Sequence, residues 1–205
     1  MSIKIYMIRH GESEANVKGV LCGQLDSPLT SLGLSQAKLA RNYLVQNQIT
    51  VDLIYSSPLV RARSTAEIIN YQNKPIHFVD ELKETNTGKY SHILKQEYLN
   101  SYHGDIKYHG IFPDLSFIEG ESLNQMIDRS YSWFKRLVLC EQNEDKKIIL
   151  VAHRGPLAGI LHRFFEIPLK NFPTFMLGNS TVTELEVSLD PVHGWLGHIT
   201  GINKD

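Results

Sequence analysis

The feature that most restricts the fold is an alternation of short apolar runs with longer stretches of helical spacing. Residues 3–8, 51–55, 76–79 and 147–152 are short, rich in β-branched or aromatic side chains, and read as buried strands. Between them, apolar residues recur three and four apart. One stretch follows a capping Thr30 and carries Leu34, Ala37, Leu39, Ala40, Tyr43 and Leu44. Another follows Pro58 with Ala62, Thr65, Ala66, Ile68 and Ile69. A third opens at Glu121 or Ser122 and runs through Met126, Ile127, Tyr131, Phe134 and Leu137; a fourth starts at Pro156 and holds Leu161 and Phe164. Strands alternating with helices predict an α/β protein, a three-layer α/β/α sandwich with a mostly parallel central sheet. The tail alternates apolar and polar residues over 181–189 and 195–199, as an edge hairpin would, and such an exposed tail could pair two copies into a homodimer.

At 205 residues the chain fits a single domain, residues 1–205, in which 85–120 is an inserted lid. Lysine plus arginine is 21 and aspartate plus glutamate is 22, a balance that argues against a nucleic-acid partner. An apolar share of 42% argues against a disordered chain. Cys22 and Cys140 are far apart, so neither a disulfide framework nor a thiolate zinc site is expected. The first apolar run is too short for a secretory leader, and no stretch approaches the roughly 20 apolar residues of a membrane span. A cytoplasmic protein without a membrane partner is the expectation. Nine histidines are the one unusual count, open to a metal site, proton transfer or no special role.

Position is more informative than number. Arg9-His10 follows the first strand, Arg61 and Arg63 follow the second, and His153-Arg154 follows the fourth. In open α/β sheets ligands bind beyond the carboxyl ends of the strands, near helix N-termini. Three cationic groups there would converge on one anion, a phosphate held by guanidinium forks, backbone N–H groups and imidazoles. A histidine between arginines is held neutral by like charge, which leaves a ring nitrogen free as a nucleophile. The departing oxygen then needs a proton donor: Glu84 is the candidate, with Glu81, Glu12 and Glu14 in competition.

At these residues the chain resembles the histidine phosphatase superfamily, the phosphoglycerate-mutase-like enzymes. Arg9-His10-Gly11-Glu12 with Asn16 is similar to the family signature. The next blocks follow in order: Gly23, then Asp26-Ser27-Pro28-Leu29-Thr30 with Gly33, Gln36 and Ala37, then Ser56-Ser57-Pro58-Leu59 with Arg61, Ala62, Thr65 and Ala66. Leu82-Lys83-Glu84 with Gly88, Gly120-Glu121-Ser122 and Val151-Ala152-His153 complete a set that spans most of the chain. The resemblance implies that His10 is the phosphorylated nucleophile, that Arg9, Arg61 and His153 form the phosphate pocket, and that Glu84 is the general acid and later the base. It also implies that Asn16, Cys22, Gly23, Arg154 and Gly155 line that pocket, and that neither a metal nor another cofactor is needed.

Family members differ in what attacks the phosphohistidine: water gives a phosphatase and a bound hydroxy acid gives a mutase. The resemblance implies that a mutase would carry an arginine pair in the insertion, and residues 85–120 contain no arginine. They offer aromatic and mildly basic residues instead, among them Tyr90, His92, Lys95, Tyr98, Tyr102 and His103, then Lys107, Tyr108, His109, Phe112 and Phe117. The expectation is therefore a metal-independent phosphomonoesterase acting on a small phosphorylated metabolite. A phosphoglycerate mutase, or a phosphate-binding module without turnover, is the alternative. Arg154 stands where the family commonly has glycine; it either meets a second anion on the substrate or pairs with Asp105 or Asp114. His92, His103 and His109 are the residues a zinc site would need, although they lack zincin spacing. Arg63 reads as a solvated or salt-bridged helix residue, Cys140 as core-facing, His162, His193 and His198 as structural, and Trp133 and Trp195 as core anchors.

Overall fold

The computed structural model describes residues 1–101, 117–190 and 192–204. In chain order the elements are β1 (Ser2–Arg9), α1 (Glu14–Lys18), α2 (Ser31–Gln46), β2 (Leu53–Ser56), α3 (Val60–Ile69), β3 (Ile76–Phe78) and α4 (Lys95–Ser101). They continue with α5 (Leu123–Glu141), β4 (Lys146–Ala152), α6 (Arg154–Phe164), β5 (Val182–Asp190) and β6 (Gly194–Lys204). The strands form one sheet in the order β3-β2-β4-β1-β5-β6. The first four are parallel, while β5 runs antiparallel to β1 and β6 antiparallel to β5, so the tail is the expected edge hairpin.

Strand alternation divides the core in two. Ile3, Ile5 and Met7 of β1 and Ile148 and Leu150 of β4 pack against α5 and α6, in a layer that includes Phe134, Leu157 and Leu161. Tyr6, Ile8, Ile149 and Val151 face the other way, against Ala40 and Leu44 of α2 and Ala62, Ala66 and Ile69 of α3. Helices on both faces of a mostly parallel sheet are the architecture the sequence predicted.

Local signals placed the helices well. The Thr30 hydroxyl accepts from the Gly33 amide at 3.0 Å, capping α2, and Ser122 and Gln125 cap α5 reciprocally. Two assignments need correction. The buried stripe of α2 is Gly33, Ala37, Ala40 and Leu44, which turns Leu34 and Leu39 to solvent. Cys140, expected in the core, is exposed, because the stripe α5 buries runs through Phe134, Leu137 and Val138 and Cys140 falls outside it in the last turn. Trp133 and Trp195 are half-buried and pack against the core margin. Tyr102, His103, Asp105 and Lys107, like Tyr108, His109, Phe112 and Asp114, lie outside the described residues.

Candidate active site

Strand register brings the three sequence clusters together. Arg9 pairs with Ala152 across β1 and β4, and Ser56 pairs with Val151 across β2 and β4, so three neighbouring strands end level. The chain leaves each end still tied to β4: the His10 amide donates to the Ala152 carbonyl at 2.9 Å and the Ser57 amide to the Val151 carbonyl at 2.9 Å. Beyond these ends lies a cavity of about 340 Å³. Arg9, His10 and Arg61 line it, as do Glu84, Arg154 and Gly155. Asn16, Cys22 and Gly23 line it as well, so the sequence-predicted residues other than His153 all reach the cavity.

His10 is 4% exposed, and its Nδ1 lies 2.7 Å from the Gly11 carbonyl. A carbonyl only accepts, so the proton is on Nδ1 and the lone pair is on Nε2. Burial, then the charges of Arg61 and Arg9, hold its pKa well below 6.5. The ring is therefore a neutral imidazole with an available nitrogen. The Asn179 amide donates to the His10 carbonyl at 2.8 Å and fixes the backbone beneath it.

Arg61, 2% exposed on α3, is held by acceptors on three sides. Its guanidinium donates to the Gly23 carbonyl at 2.8 Å, to the Leu25 carbonyl at 2.8 Å, and through Nε to His153 Nδ1 at 3.2 Å. Gly23 has φ of 52°, and a Cβ there would come within 2.3 Å of Thr87 Oγ1, so glycine is required for this carbonyl to face Arg61. Arg9 donates to the Leu177 carbonyl at 3.0 Å, while its buried Nε has no hydrogen-bond partner among the described residues. Burial and the nearby Arg154 lower its pKa to about 10.

His153 sits against Arg61 and His10 without lining the cavity. It is fully buried, its ring centroid is 5.0 Å from that of His10, and it receives Arg61 Nε–H on Nδ1. Its Nε2 therefore carries the proton and donates to Ser57 Oγ at 2.8 Å. Burial, Arg61 and His10 hold its pKa well below 6.5. In this arrangement both ring nitrogens are engaged by protein groups, which makes His153 a buttress for Arg61 and His10.

The Glu84 side chain accepts from the Thr85 amide at 2.9 Å, and its backbone carbonyl is held by Gln24 and Arg129 at 3.1 and 2.9 Å. Arg129 is in turn paired with Glu121 at 2.7 Å. A Cβ on Gly155 would come within 2.3 Å of Glu84 Oε1, so the missing side chain makes room for this carboxylate at the start of α6. Glu81 pairs with Arg136, and Glu12 accepts from Thr30 at 2.8 Å; neither lines the cavity, and neither does Glu14, which pairs with Lys18. Arg63 is exposed, in line with the expectation of a solvated residue, and lies over the Phe78 ring at 4.9 Å. His162 is structural: its Nε2 accepts from the Thr174 amide at 2.9 Å.

Ser57 and Thr65 fall inside the sequence blocks without a role assigned to them, and Arg129 and Asn179 carry no sequence signal. Thr65 Oγ1 accepts from the Gly11 amide at 3.1 Å and donates to the Arg61 carbonyl at 2.8 Å, tying the two cationic clusters together.

A mostly parallel sheet with a buried, neutral histidine between arginines at its strand ends defines a phosphate-handling α/β protein. Residues 5–192 match the histidine phosphatase superfamily (branch 1), and the chain belongs to that family. It is 30% identical over 198 residues to glucosyl-3-phosphoglycerate phosphatase of Mycobacterium tuberculosis, covering 89% of this chain and 84% of that protein. It is 28% identical over 187 residues to phosphoserine phosphatase 1 of Hydrogenobacter thermophilus, covering 90% and 87%. Among solved structures, phosphoserine phosphatase of Entamoeba histolytica in complex with 3-phosphoglyceric acid superposes with a TM-score of 0.78 at 30% identity, covering 99% and 98%. These named relatives are phosphatases of the family. Among the described residues no helix is long and apolar enough to cross a membrane.

Proposed function

We propose that the protein is a phosphomonoesterase that works without a metal, through a phosphohistidine on His10, on a small phosphorylated metabolite. The observation that carries this reading is the Nδ1–H bond to the Gly11 carbonyl, which aims a neutral Nε2 lone pair away from the backbone in a pocket lined by Arg9 and Arg61. Phosphoserine and glucosyl-3-phosphoglycerate, the substrates in the relatives' names, support a small phosphoester.

In the first step Nε2 attacks phosphorus and the P–O ester bond breaks. The bond's electron pair goes to the leaving oxygen, which takes the Glu84 proton. Arg9 and Arg61 offset the charge on the phosphoryl oxygens as they pass through the transition state. In the second step the Glu84 carboxylate takes a proton from water as the water oxygen bonds to phosphorus. The N–P bond breaks, His10 recovers its lone pair and inorganic phosphate leaves.

The test is hydrolysis of p-nitrophenyl phosphate in the presence of a chelator, with wild type and His10→Ala, and quenching with radiolabelled ester. Chelator-insensitive turnover and an acid-labile protein label, both absent from His10→Ala, are expected. Turnover surviving the substitution would overturn the reading. Chasing the labelled enzyme with 3-phosphoglycerate separates water from an alcohol as acceptor: release as inorganic phosphate is the expected result.

A further inference from the structure

The cavity contains two cations that the chemistry above does not use. Arg154 is the first residue of α6, directly after His153, and Lys95 is the first residue of α4. Backbone pairing sets the position of Lys95. Its amide donates to the Gly19 carbonyl at 3.0 Å, and the Leu21 amide and carbonyl pair with Ile93 and His92 at 2.8 Å each. The predicted lid is thus joined to the rim of the phosphate pocket through the segment that precedes Gly23.

Arg154 and Lys95 both line the cavity, and neither side chain makes an ion pair or hydrogen bond with any described residue. Arg129, on the other side of the Glu84 loop, is by contrast fully engaged with Glu121 and two carbonyls. The unpaired cations also repel one another. The ammonium of Lys95 has its pKa lowered, first by burial and then by Arg154 and Arg9. Among the described residues, four cations, Arg9, Arg61, Lys95 and Arg154, line the cavity against one carboxylate, Glu84. A phosphate dianion offsets two of the four, and a Glu84 that is protonated to serve as acid offsets none. Two positive charges then remain in a partly desolvated site.

Their neighbours relate them to the leaving group. Gly155, next to Arg154, abuts Glu84 Oε1, the group proposed to protonate the leaving oxygen. Lys95 lies near enough to feel the charges of both Arg154 and Glu84, so both cations neighbour the proposed acid. Resting on the phosphatase reading, we propose that Arg154 and Lys95 form a second anion subsite, and that the substrate is a phosphomonoester whose alcohol part carries its own carboxylate or phosphate. Arg154 supplies a planar fork and Lys95 a point charge, a pair suited to one such group. Tyr98, Phe117 and Phe172 wall the same cavity and leave the small carbon skeleton an apolar flank.

The test uses probes that differ mainly in the second group. Glycerol 3-phosphate is neutral on its alcohol side, 3-phosphoglycerate carries a carboxylate, and 2,3-bisphosphoglycerate carries a carboxylate and a second phosphate. Wild type, Arg154→Gln and Lys95→Gln are compared by kcat/KM on each, and by calorimetric binding of each. Wild type is expected to favour a charged ester over glycerol 3-phosphate by about tenfold or more, and each substitution to shrink that ratio several-fold. Preference for the monophosphate acid assigns the subsite to carboxylate, and preference for the bisphosphate assigns it to phosphate. Equal values for neutral and charged esters in wild type, or a preference that survives both substitutions, overturns the subsite. If wild type hydrolyses neither these three nor p-nitrophenyl phosphate, the phosphatase reading fails. The binding ratios then decide the subsite on their own, with the same expected loss in the variants.

Discussion

Gly155→Ala tests the assignment of Glu84 with little disturbance of the fold. The new methyl would stand 2.3 Å from Glu84 Oε1 and 3.1 Å from Met126 Cε, whereas ordinary contact begins near 3.4 Å. Helix α6 holds the Gly155 backbone, and its φ lies outside the left-handed region, so alanine fits the main chain. The Glu84 backbone is fixed too, through Gln24 and Arg129 on its carbonyl. What gives way is the carboxylate, which must retreat by about 1 Å and lose its hydrogen bond from the Thr85 amide. A misplacement of that size costs on the order of 100-fold in rate when the group acts in the transition state.

The loss should depend on the leaving group. An alkoxide such as glycerol needs the proton, so kcat on glycerol 3-phosphate should fall roughly 100-fold, within the span of general acid catalysis. Nitrophenolate departs with less help, and kcat on p-nitrophenyl phosphate should fall much less. Stability should hold to within about 1 kcal/mol, since replacing glycine by alanine gains roughly 0.4–1 kcal/mol in the unfolded chain. The assay is paired steady-state kinetics with a urea titration of each protein. Equal losses on the two esters, no loss on either, or a destabilisation beyond about 2 kcal/mol would refute the reasoning. The last outcome would mean that the backbone moves and the carboxylate stays.

Three further outcomes are expected. Thr65→Val keeps the side-chain shape but leaves the Gly11 amide without its acceptor, and should cost about 1–3 kcal/mol in urea unfolding. Arg129→Met breaks the pair with Glu121 and frees the Glu81 and Glu84 carbonyls; a loss of roughly 3 kcal/mol is expected, with kcat falling more for alkyl than for aryl esters. The third concerns acid. His10 and His153 have folded pKa values well below their ordinary 6.5, so the unfolded chain takes up the more protons as pH drops through 6.5. Their contribution is complete above that pH and declines by about 1.4 kcal/mol per histidine per pH unit below it. Urea midpoints from pH 7.5 down to 5.5 should decline accordingly, with a shallower slope in His153→Gln; a slope unchanged by that substitution would count against its neutrality.

The placement of the candidate site was legible where its residues adjoin a strand in sequence. Arg9, His10 and His153 come directly after apolar runs, and a parallel sheet aligns those ends whatever the helices do. Arg61 was visible as the second residue of the helix that follows β2. The supports were not visible, because their partners are distant in sequence. Asn179 reaches the His10 carbonyl across 169 positions, and Arg129 reaches the Glu84 carbonyl across 45. Periodicity also left helix phase open. Leu34 and Leu39 fit a three-and-four spacing, yet Gly33, Ala37 and Ala40 take the inner face, where the Gly33 backbone meets Gly11 and Glu12 too closely for any side chain. Cys140 failed for the same reason, since apolar character alone did not fix which side of α5 it occupies.

One segment links recognition to catalysis. Between α1 and α2, the carbonyls of Gly23 and Leu25 hold the Arg61 guanidinium, and Gln24 between them holds the Glu84 carbonyl. A few residues earlier, Gly19 and Leu21 pair with the chain that brings Lys95 to the cavity. The proposed phosphate-binding arginine, the proposed acid and the proposed specificity cation are therefore all positioned by residues 19–25, although they come from three separate parts of the sequence. In such an arrangement an ester that engages Lys95 bears on the same stretch of backbone that orients Arg61 and Glu84. Binding energy from the non-reacting end of the substrate can then be expressed at the reacting end. The second anion should accordingly raise kcat as well as lower KM, and the Lys95→Gln enzyme should show both effects diminished together.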